Sequence, residues 1–343
     1  MKRIVLVALT STMIFAVHAR EHHHSEPFLM YGMQPEKGGK LPKNFRTFHD
    51  ELKEKDQSIS TQGLANVSGS GSAEFFVEIM PNLIVELRSK LAREITIVDL
   101  RRESHCFINN MPFFWYQKPP TDHGIWALYN DEKTGQEVVQ DEEKRLAHVI
   151  KNKQATVFNL YQETPYKPSF STFSSIHLND KTNIKLETAM TEKHLANQHG
   201  LHYLRLPIFD GYEPSVEIID EFLTYFRSHK NNWYHFHCNA GQGRTTTFVA
   251  FFDMMHNAKD VDFDSIMKRQ TMLGGKDLLK TKGHKTAKKA QRYADRLKTI
   301  KSFYDYCKEN NDGFKTLYST WLKKNNTQAT HTKVNKKHTV ALQ

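Results

Sequence analysis

Trp233-Tyr234-His235-Phe236-His237-Cys238-Asn239-Ala240-Gly241-Gln242-Gly243-Arg244-Thr245 is the stretch on which the reading of this chain turns. The aromatic run over 233–237 predicts a buried strand, and 245–256 predicts a helix. Between them the strand delivers Cys238, and five residues separate that cysteine from Arg244. Gly241 and Gly243 let the join curl so that the N–H groups of Asn239, Ala240, Gly241, Gln242 and Gly243 turn inward. The helix N-terminus adds the positive end of its dipole to the same hollow. Such a cradle holds a phosphate and favours the thiolate form of Cys238. The planar fork of Arg244 can grip two phosphate oxygens at once. A thiolate facing a bound phosphate is in line with phosphorus, which predicts covalent catalysis through a cysteinyl-phosphate. Thr245 is placed to hydrogen-bond the sulfur and ease its departure; a helix N-terminal cap is the other reading.

Working outward, a phosphate ester with a poor leaving group needs a general acid from another loop. Leu206-Pro207-Ile208-Phe209-Asp210-Gly211-Tyr212-Glu213-Pro214 ends a strand over 203–207 and opens a helix over 215–228, 28 residues before the cysteine. Asp210 stands at the carboxyl end of that strand, where α/β ligand sites form, and is read as the acid. Glu213 is the fallback, and Asp220, inside the amphipathic helix, is structural. A strand over 95–100, a short helix over 191–197 and a helix over 285–309 complete the pattern. The alternation of strand and helix predicts an α/β fold around a mixed sheet flanked by helices. The Gly/Ser-rich piece 64–72 reads as a loop, and 110–190, rich in aromatic, Pro and polar residues, as an inserted subdomain or long loops.

Composition sets the outer bounds. With 343 residues, 38% hydrophobic and 25% charged, the chain can build a core, which excludes a wholly disordered protein. Three cysteines (Cys106, Cys238, Cys307) cannot make a disulfide framework, and Cys106 and Cys307 have no context that would activate them. The formal net charge is +10, and residues 276–301 carry ten Lys/Arg against two acids, Asp277 and Asp295. A basic patch of that density fits an anionic partner, although a solvated helix face is the plainer reading. Lys2 and Arg3, the apolar run 4–17 and the small residues Val17 and Ala19 predict a signal peptide over 1–19, and hence export to a periplasm or beyond, including delivery to a host cell. No other stretch is apolar and long enough to cross a bilayer. The expected organisation is a leader at 1–19, an extended segment at 20–60, a catalytic domain at 61–325 and a disordered tail at 326–343.

The phosphate loop resembles that of the protein-tyrosine-phosphatase superfamily, and the chain resembles in particular its bacterial cysteine phytases, the tyrosine-phosphatase-like inositol polyphosphate phosphatases. The likeness is carried by Leu41-Pro42-Lys43-Asn44-Phe45-Arg46, Ser68-Gly69-Ser70-Gly71, Asp99-Leu100-Arg101-Arg102-Glu103-Ser104-His105 and Trp115-Tyr116. Phe303-Tyr304-x-Tyr306, Asp312-Gly313-Phe314 and Trp321-Leu322 follow in the same order as in the family. The resemblance implies a tyrosine-phosphatase-like mixed sheet with a small inserted β-rich subdomain. It implies that Arg46 and Asp122 line the substrate pocket, that Lys289, Tyr293 and Arg296 hold distal phosphates from one helical face, and that Glu103 pairs with and orients Arg244. His237 is placed with Glu103 as an orienting residue. The chain departs from the family at Gly211, where many members have His, at Asn239, where they often have an acid, and over 110–190.

The reading is therefore a secreted phosphomonoesterase acting on inositol polyphosphates, with Cys238, Asp210, Arg244 and Thr245 as its catalytic set. It needs no metal or other cofactor. A protein-tyrosine or dual-specificity phosphatase and a phosphoinositide phosphatase are the alternatives. An inactive phosphate-binding relative is disfavoured by the intact Cys238, Asp210 and Arg244. A nucleic-acid binder is excluded because the basic run lacks interleaved stacking aromatics.

Overall fold

Ile95–Arg101 is buried along its whole length, as a strand covered on both faces of a parallel sheet requires. It is one of twelve strands in the computed structural model, which describes residues 28–31, 39–53, 58–117, 126–127, 130, 133–158, 181–281, 283 and 286–325. In chain order the strands are β1 Phe28–Tyr31, β2 Arg46–Thr47, β3 Gly69–Ala73, β4 Ile95–Arg101, β5 His105–Ile108, β6 Met111–Gln117, β7 Trp126–Ala127, β8 Gln154–Phe158, β9 Lys181–Lys185, β10 Ala189–Met190, β11 His202–Ile208 and β12 Trp233–Cys238. The helices are α1 Met80–Ser89, α2 Gly135–Asn152, α3 Glu192–Gln198, α4 Val216–Ser228, α5 Gly243–Asn257, α6 Phe263–Met272 and α7 Ala287–Glu309. The expected leader at 1–19 and tail at 326–343 lie outside the described residues, as does the substrate-pocket candidate Asp122. Among the described residues no helix is long and apolar enough to cross a membrane.

The central sheet runs β11-β4-β12-β3-β2, parallel except for β2. On one face Ile95, Ile97 and Trp233 pack against Leu83 and Leu87 of α1 and Leu195 of α3. On the other, Val98, Leu100 and Phe236 pack against α4, α5 and α7 through Phe222, Phe248, Phe251 and Phe303. The amphipathic face expected for α4 is present, with Ile219, Leu223 and Phe226 buried, and Phe222 joins it. Ser215 caps that helix by accepting from Ile218 N. Helix α5 has no exposed stripe: Arg244 to Met254 are all buried.

Residues 69–72, read from sequence as part of a loop, form with Ala73 the strand β3, parallel to β12. Its glycines have a packing cause. A Cβ on Gly69 would stand 2.7 Å from the Phe48 ring, and one on Gly71 would stand 2.8 Å from Thr245 Cγ2. Only a strand without side chains there lets α5 press this close to the sheet.

A second sheet, β10-β5-β6-β1-β8-β9 with β7 on β6, packs on α2 through Leu29, Ile108, Phe113, Trp115, Leu146, Val149 and Val157. It starts at His105 and takes one strand, Phe28–Tyr31, from the segment read as an extended lead-in. The 18-residue helix α2 is absent from the sequence-based expectation of short strand-like pieces. Its start carries a capping box, with Thr134 accepting from Glu137 N and Glu137 accepting from Thr134 N.

Candidate active site

Four loop carbonyls are tied outward. Asn239 O accepts from Glu74 N at 3.2 Å, Gln242 O from Thr246 N at 2.9 Å, Ala240 O from Asn44 Nδ2 at 2.9 Å, and Gly241 O from Arg46 Nη1 at 3.0 Å. In a trans peptide the N–H points opposite the C=O. The N–H groups of Ala240, Gly241, Gln242 and Gly243 therefore turn toward the hollow around the cysteine. Gly241 has φ +66°, and a Cβ there would lie 2.3 Å from Ala73 N, so the turn accepts glycine alone. Helix α5 starts at Gly243, and Gln242 at its N-cap makes no side-chain capping bond. The floor of the site is thus an anion-binding cradle built from backbone.

Cys238 is buried at the end of β12, with its Sγ 3.2 Å from Thr245 Oγ1. Burial alone would push this thiol up; the Arg244 guanidinium and the Thr245 hydroxyl outweigh it and bring the thiol below its usual value. The capping alternative for Thr245 does not hold, since the N-cap is Gln242. Cys106 and Cys307 are pushed up by burial.

Arg244 is held from behind. Its Nη1 and Nη2 donate to the two oxygens of Glu103 at 2.7 and 2.9 Å, and Nη1 donates to Ile208 O at 3.0 Å. Burial opposes ionisation of Glu103, but Arg244 and Arg101 overcome it and lower the carboxyl to about 2. Asp210 stands on the open side, 47% exposed, with Oδ1 3.4 Å from Arg244 Nη2. Arg46 is buried; its Nη1 donates to Asn44 O and Gly241 O and its Nη2 to Thr246 Oγ1. Burial lowers its pKa to about 10.

Behind the loop lies a buried ionic cluster. His237 Nε2 is 2.6 Å from Glu192 Oε1. His105 Nε2 is 3.3 Å from Asp99 and 3.4 Å from Glu192. Arg205 bridges Glu142 at 2.7 Å and Asp99 at 3.4 Å, and Arg101 pairs with Glu74. Burial and Arg101 press the His105 pKa down, yet Asp99 and Glu142 carry it up to about 10. Burial lowers His237 too, and Glu192 reverses that. Asp99, His105 and Glu192 each bring one donor atom within 4.8 Å of the others. Arg205 and His237 already occupy those carboxylates, so the group is balanced by protons and guanidinium without a metal ion.

Helix α7 brings cations to the rim. Arg296 is buried, with Nη1 2.9 Å from where a Cβ on Gly243 would stand. Its Nε and Nη2 have no hydrogen-bond partner among the described residues. Its Cζ lies 5.3 Å from the centroid of the Tyr293 ring, and Tyr293 OH accepts from Lys276 Nζ. Lys289 is exposed one turn earlier. Arg292 was not singled out from sequence. It stacks on Tyr212 at 4.9 Å, and its Nη1 lies 3.2 Å from the place a Cβ on Gly211 would take. Gly211, the residue after Asp210, leaves that place open. Asp220, read as structural, accepts from Ser319 N.

The family model of the protein-tyrosine-phosphatase-like phytases, described as "Inositol hexakisphosphate", matches residues 98–256. Among solved structures, the chain is similar to the tandemly repeated protein tyrosine phosphatase like phytase from Mitsuokella multacida, with TM-score 0.72 and 32% identity over 86% of this chain and 49% of that one. It is similar as well to the PTP-like myo-inositol phosphatase from Mitsuokella multacida in complex with myo-inositol-(1,3,4,5)-tetrakisphosphate, with TM-score 0.74 and 28% identity over 88% of this chain and 48% of that one. Effector protein hopD2 of Pseudomonas syringae pv. tomato is 27% identical over 313 residues, 90% of this chain and 62% of that protein. The chain thus spans about half the length of the Mitsuokella proteins and under two thirds of the effector.

Proposed function

The chain belongs to the protein-tyrosine-phosphatase-like phytases, and from that premise we propose that it hydrolyses the phosphomonoesters of inositol polyphosphates through a cysteinyl-phosphate. The reacting phosphate sits in the cradle of N–H groups, with Arg244 gripping two of its oxygens. The Cys238 thiolate attacks phosphorus; the S–P bond forms as the bond to the ring oxygen breaks. Asp210, in its acid form, gives that oxygen its proton, so the inositol leaves as an alcohol. Asp210, now a carboxylate, takes a proton from the attacking water. The new P–O bond forms, the S–P bond breaks, and the Thr245 hydroxyl steadies the departing thiolate. Glu103 keeps the Arg244 fork aligned throughout.

The observation that carries the substrate class is Arg296. A buried guanidinium with two nitrogens unpartnered by the protein is costly unless a ligand completes it. It stands at the loop rim with Lys276, Tyr293, Arg292 and Lys289 around it. A substrate bearing several phosphates supplies the missing anions, as does the inositol tetrakisphosphate bound by the Mitsuokella relative. A phosphotyrosine peptide brings one phosphate and leaves this rim empty. The leader read at 1–19 and the likeness to an effector protein support export.

Phosphate release from inositol hexakisphosphate, phosphotyrosine peptides and a phosphoinositide tests this, with Cys238→Ser as the blank. Inositol hexakisphosphate is expected to give the highest kcat/KM, and Cys238→Ser to bind it without turnover. A preference for the peptides or the lipid moves the assignment to the corresponding phosphatase. Turnover by Cys238→Ser removes the covalent mechanism.

A further inference from the structure

The acid loop is fastened at a point the reaction itself does not touch. Arg102 follows the end of β4, between Arg101, which pairs with Glu74, and Glu103, which holds Arg244. Its Cζ lies 4.3 Å from the ring centroid of Phe209, the residue before Asp210. Its Nη1 donates to Pro207 O at 3.5 Å, in the last stretch of β11 that leads into the loop. Its Nη2 turns the other way and donates to Asn130 O at 3.0 Å and to Lys133 O. Those two carbonyls stand just ahead of α2, whose first residue also leans on the loop: a Cβ on Gly135 would lie 3.1 Å from Pro207 Cγ.

The far side of this clamp is itself braced. Asn130 Nδ2 donates back to Arg102 O at 3.3 Å and to Ser104 Oγ at 3.0 Å. Lys133 Nζ donates to Asn130 Oδ1 at 2.9 Å and lies 2.8 Å from Asp141 on α2. One planar cation therefore offers its face to the acid loop and its edges to both the loop and the start of α2. Lysine could offer neither the face nor the fork, and arginine keeps its charge at every working pH.

We infer that Arg102 is a positioning residue that locks the Pro207–Asp210 loop to the α2 end of the second sheet and so sets where Asp210 meets the leaving oxygen. This rests on the proposed reading of Asp210 as the acid. It makes the second sheet part of the support of the chemistry: the loop that carries the proton is held between the two sheets' connections.

Arg102→Ala and Arg102→Lys, with Asp210→Asn alongside, are assayed on inositol hexakisphosphate, whose leaving group is an alkoxide, and on p-nitrophenyl phosphate, whose leaving group needs little protonation. Arg102→Ala is expected to lose roughly 10- to 100-fold in kcat on the first, with KM within about 2-fold, and less than about 3-fold on the second. Arg102→Lys should follow Arg102→Ala. Adding Arg102→Ala to Asp210→Asn should cost nothing further on inositol hexakisphosphate, because the proton donor it positions is already gone. Equal losses on both substrates, a loss confined to KM, or full additivity with Asp210→Asn overturns the inference. Asp210→Asn losing equally on both substrates instead overturns the acid assignment. Should Arg102→Ala fail to fold, Phe209→Leu removes the stacking face from the other side; the same leaving-group pattern is expected of it, and equal losses overturn the proposal.

Discussion

Replacing Glu103 with glutamine isolates the electrostatic brace of the phosphate loop. The carboxylate makes two parallel hydrogen bonds to Arg244, at 2.7 and 2.9 Å, with both partners buried, and Arg101 Nε is 4.0 Å away. A carboxyl lowered from 4.5 to about 2 against its own burial prefers the ionised form by about 3 kcal/mol. Because the folded value is depressed, this contribution is complete above the ordinary carboxyl value of 4.5 and is lost as pH falls toward about 2. Glutamine keeps the volume but faces an N–H₂ donor toward guanidinium and leaves buried positive charge uncompensated. Glu103→Gln should therefore cost about 3–5 kcal/mol of stability at pH 7. Since glutamine does not titrate, the gap to wild type should narrow between pH 5 and pH 2. Urea denaturation followed by circular dichroism at several pH values reads the gap directly. kcat/KM should fall as well, because Arg244 loses its two-oxygen brace and keeps a single amide oxygen beside Ile208 O at 3.0 Å, Leu100 O at 3.5 Å and the exposed Asp210 at 3.4 Å. Equal midpoints at pH 7, or a gap that ignores pH, would refute the reasoning.

The lowered thiol of Cys238 should make it the first cysteine alkylated by iodoacetate at pH 7, ahead of Cys106 and Cys307, with inorganic phosphate protecting it; mass spectrometry of the labelled peptides decides. Lys289→Ala with Arg296→Ala should lose roughly 10²-fold in kcat/KM on inositol hexakisphosphate while sparing p-nitrophenyl phosphate, and full activity in the double variant would return the basic helix to a solvated face. Gly241→Ala must place a methyl 2.3 Å from Ala73 N at φ +66°. It should lose at least about 2 kcal/mol of stability together with phosphate protection of Cys238, read by thermal melting and the same labelling.

The loop from Cys238 to Arg244 was legible because its chemistry is local: a strand, two glycines, an arginine and a helix start within one short span. The position of Asp210, just past the end of a strand, was legible for a similar reason. The faces of α4 and α7 followed from helical spacing. What escaped was set by residues far along the chain. Gly69 and Gly71 look like loop residues, and what makes β3 a strand, its pairing with β12 and β2, comes from residues far along the chain. That Arg46 also holds the carbonyl of Gly241 could not be read from its own stretch of sequence. Arg292 and Arg102 carry no local mark, since Tyr212 and Phe209 give them meaning only after folding. Helix α2 did leave a signal in the box Thr134-x-x-Glu137, and its polar length, with Glu142 buried among charges, hid the apolar face.

The parallel order of the central sheet also sets a timetable. Thr96 pairs with both His202 and Tyr234, and Gly69 pairs with Tyr234, so each seam waits for chain made long after its first strand. Helix α5, buried from Arg244 to Met254, packs across this sheet and can dock only on strands that are already joined. The Cys238–Arg244 loop therefore closes only after these remote pairings form, and closure should be slow, as it is when pairings join distant segments. For the export proposed from the leader read at 1–19, that order has a use: the central sheet cannot lock before residue 238 has been made, so the chain stays threadable until then.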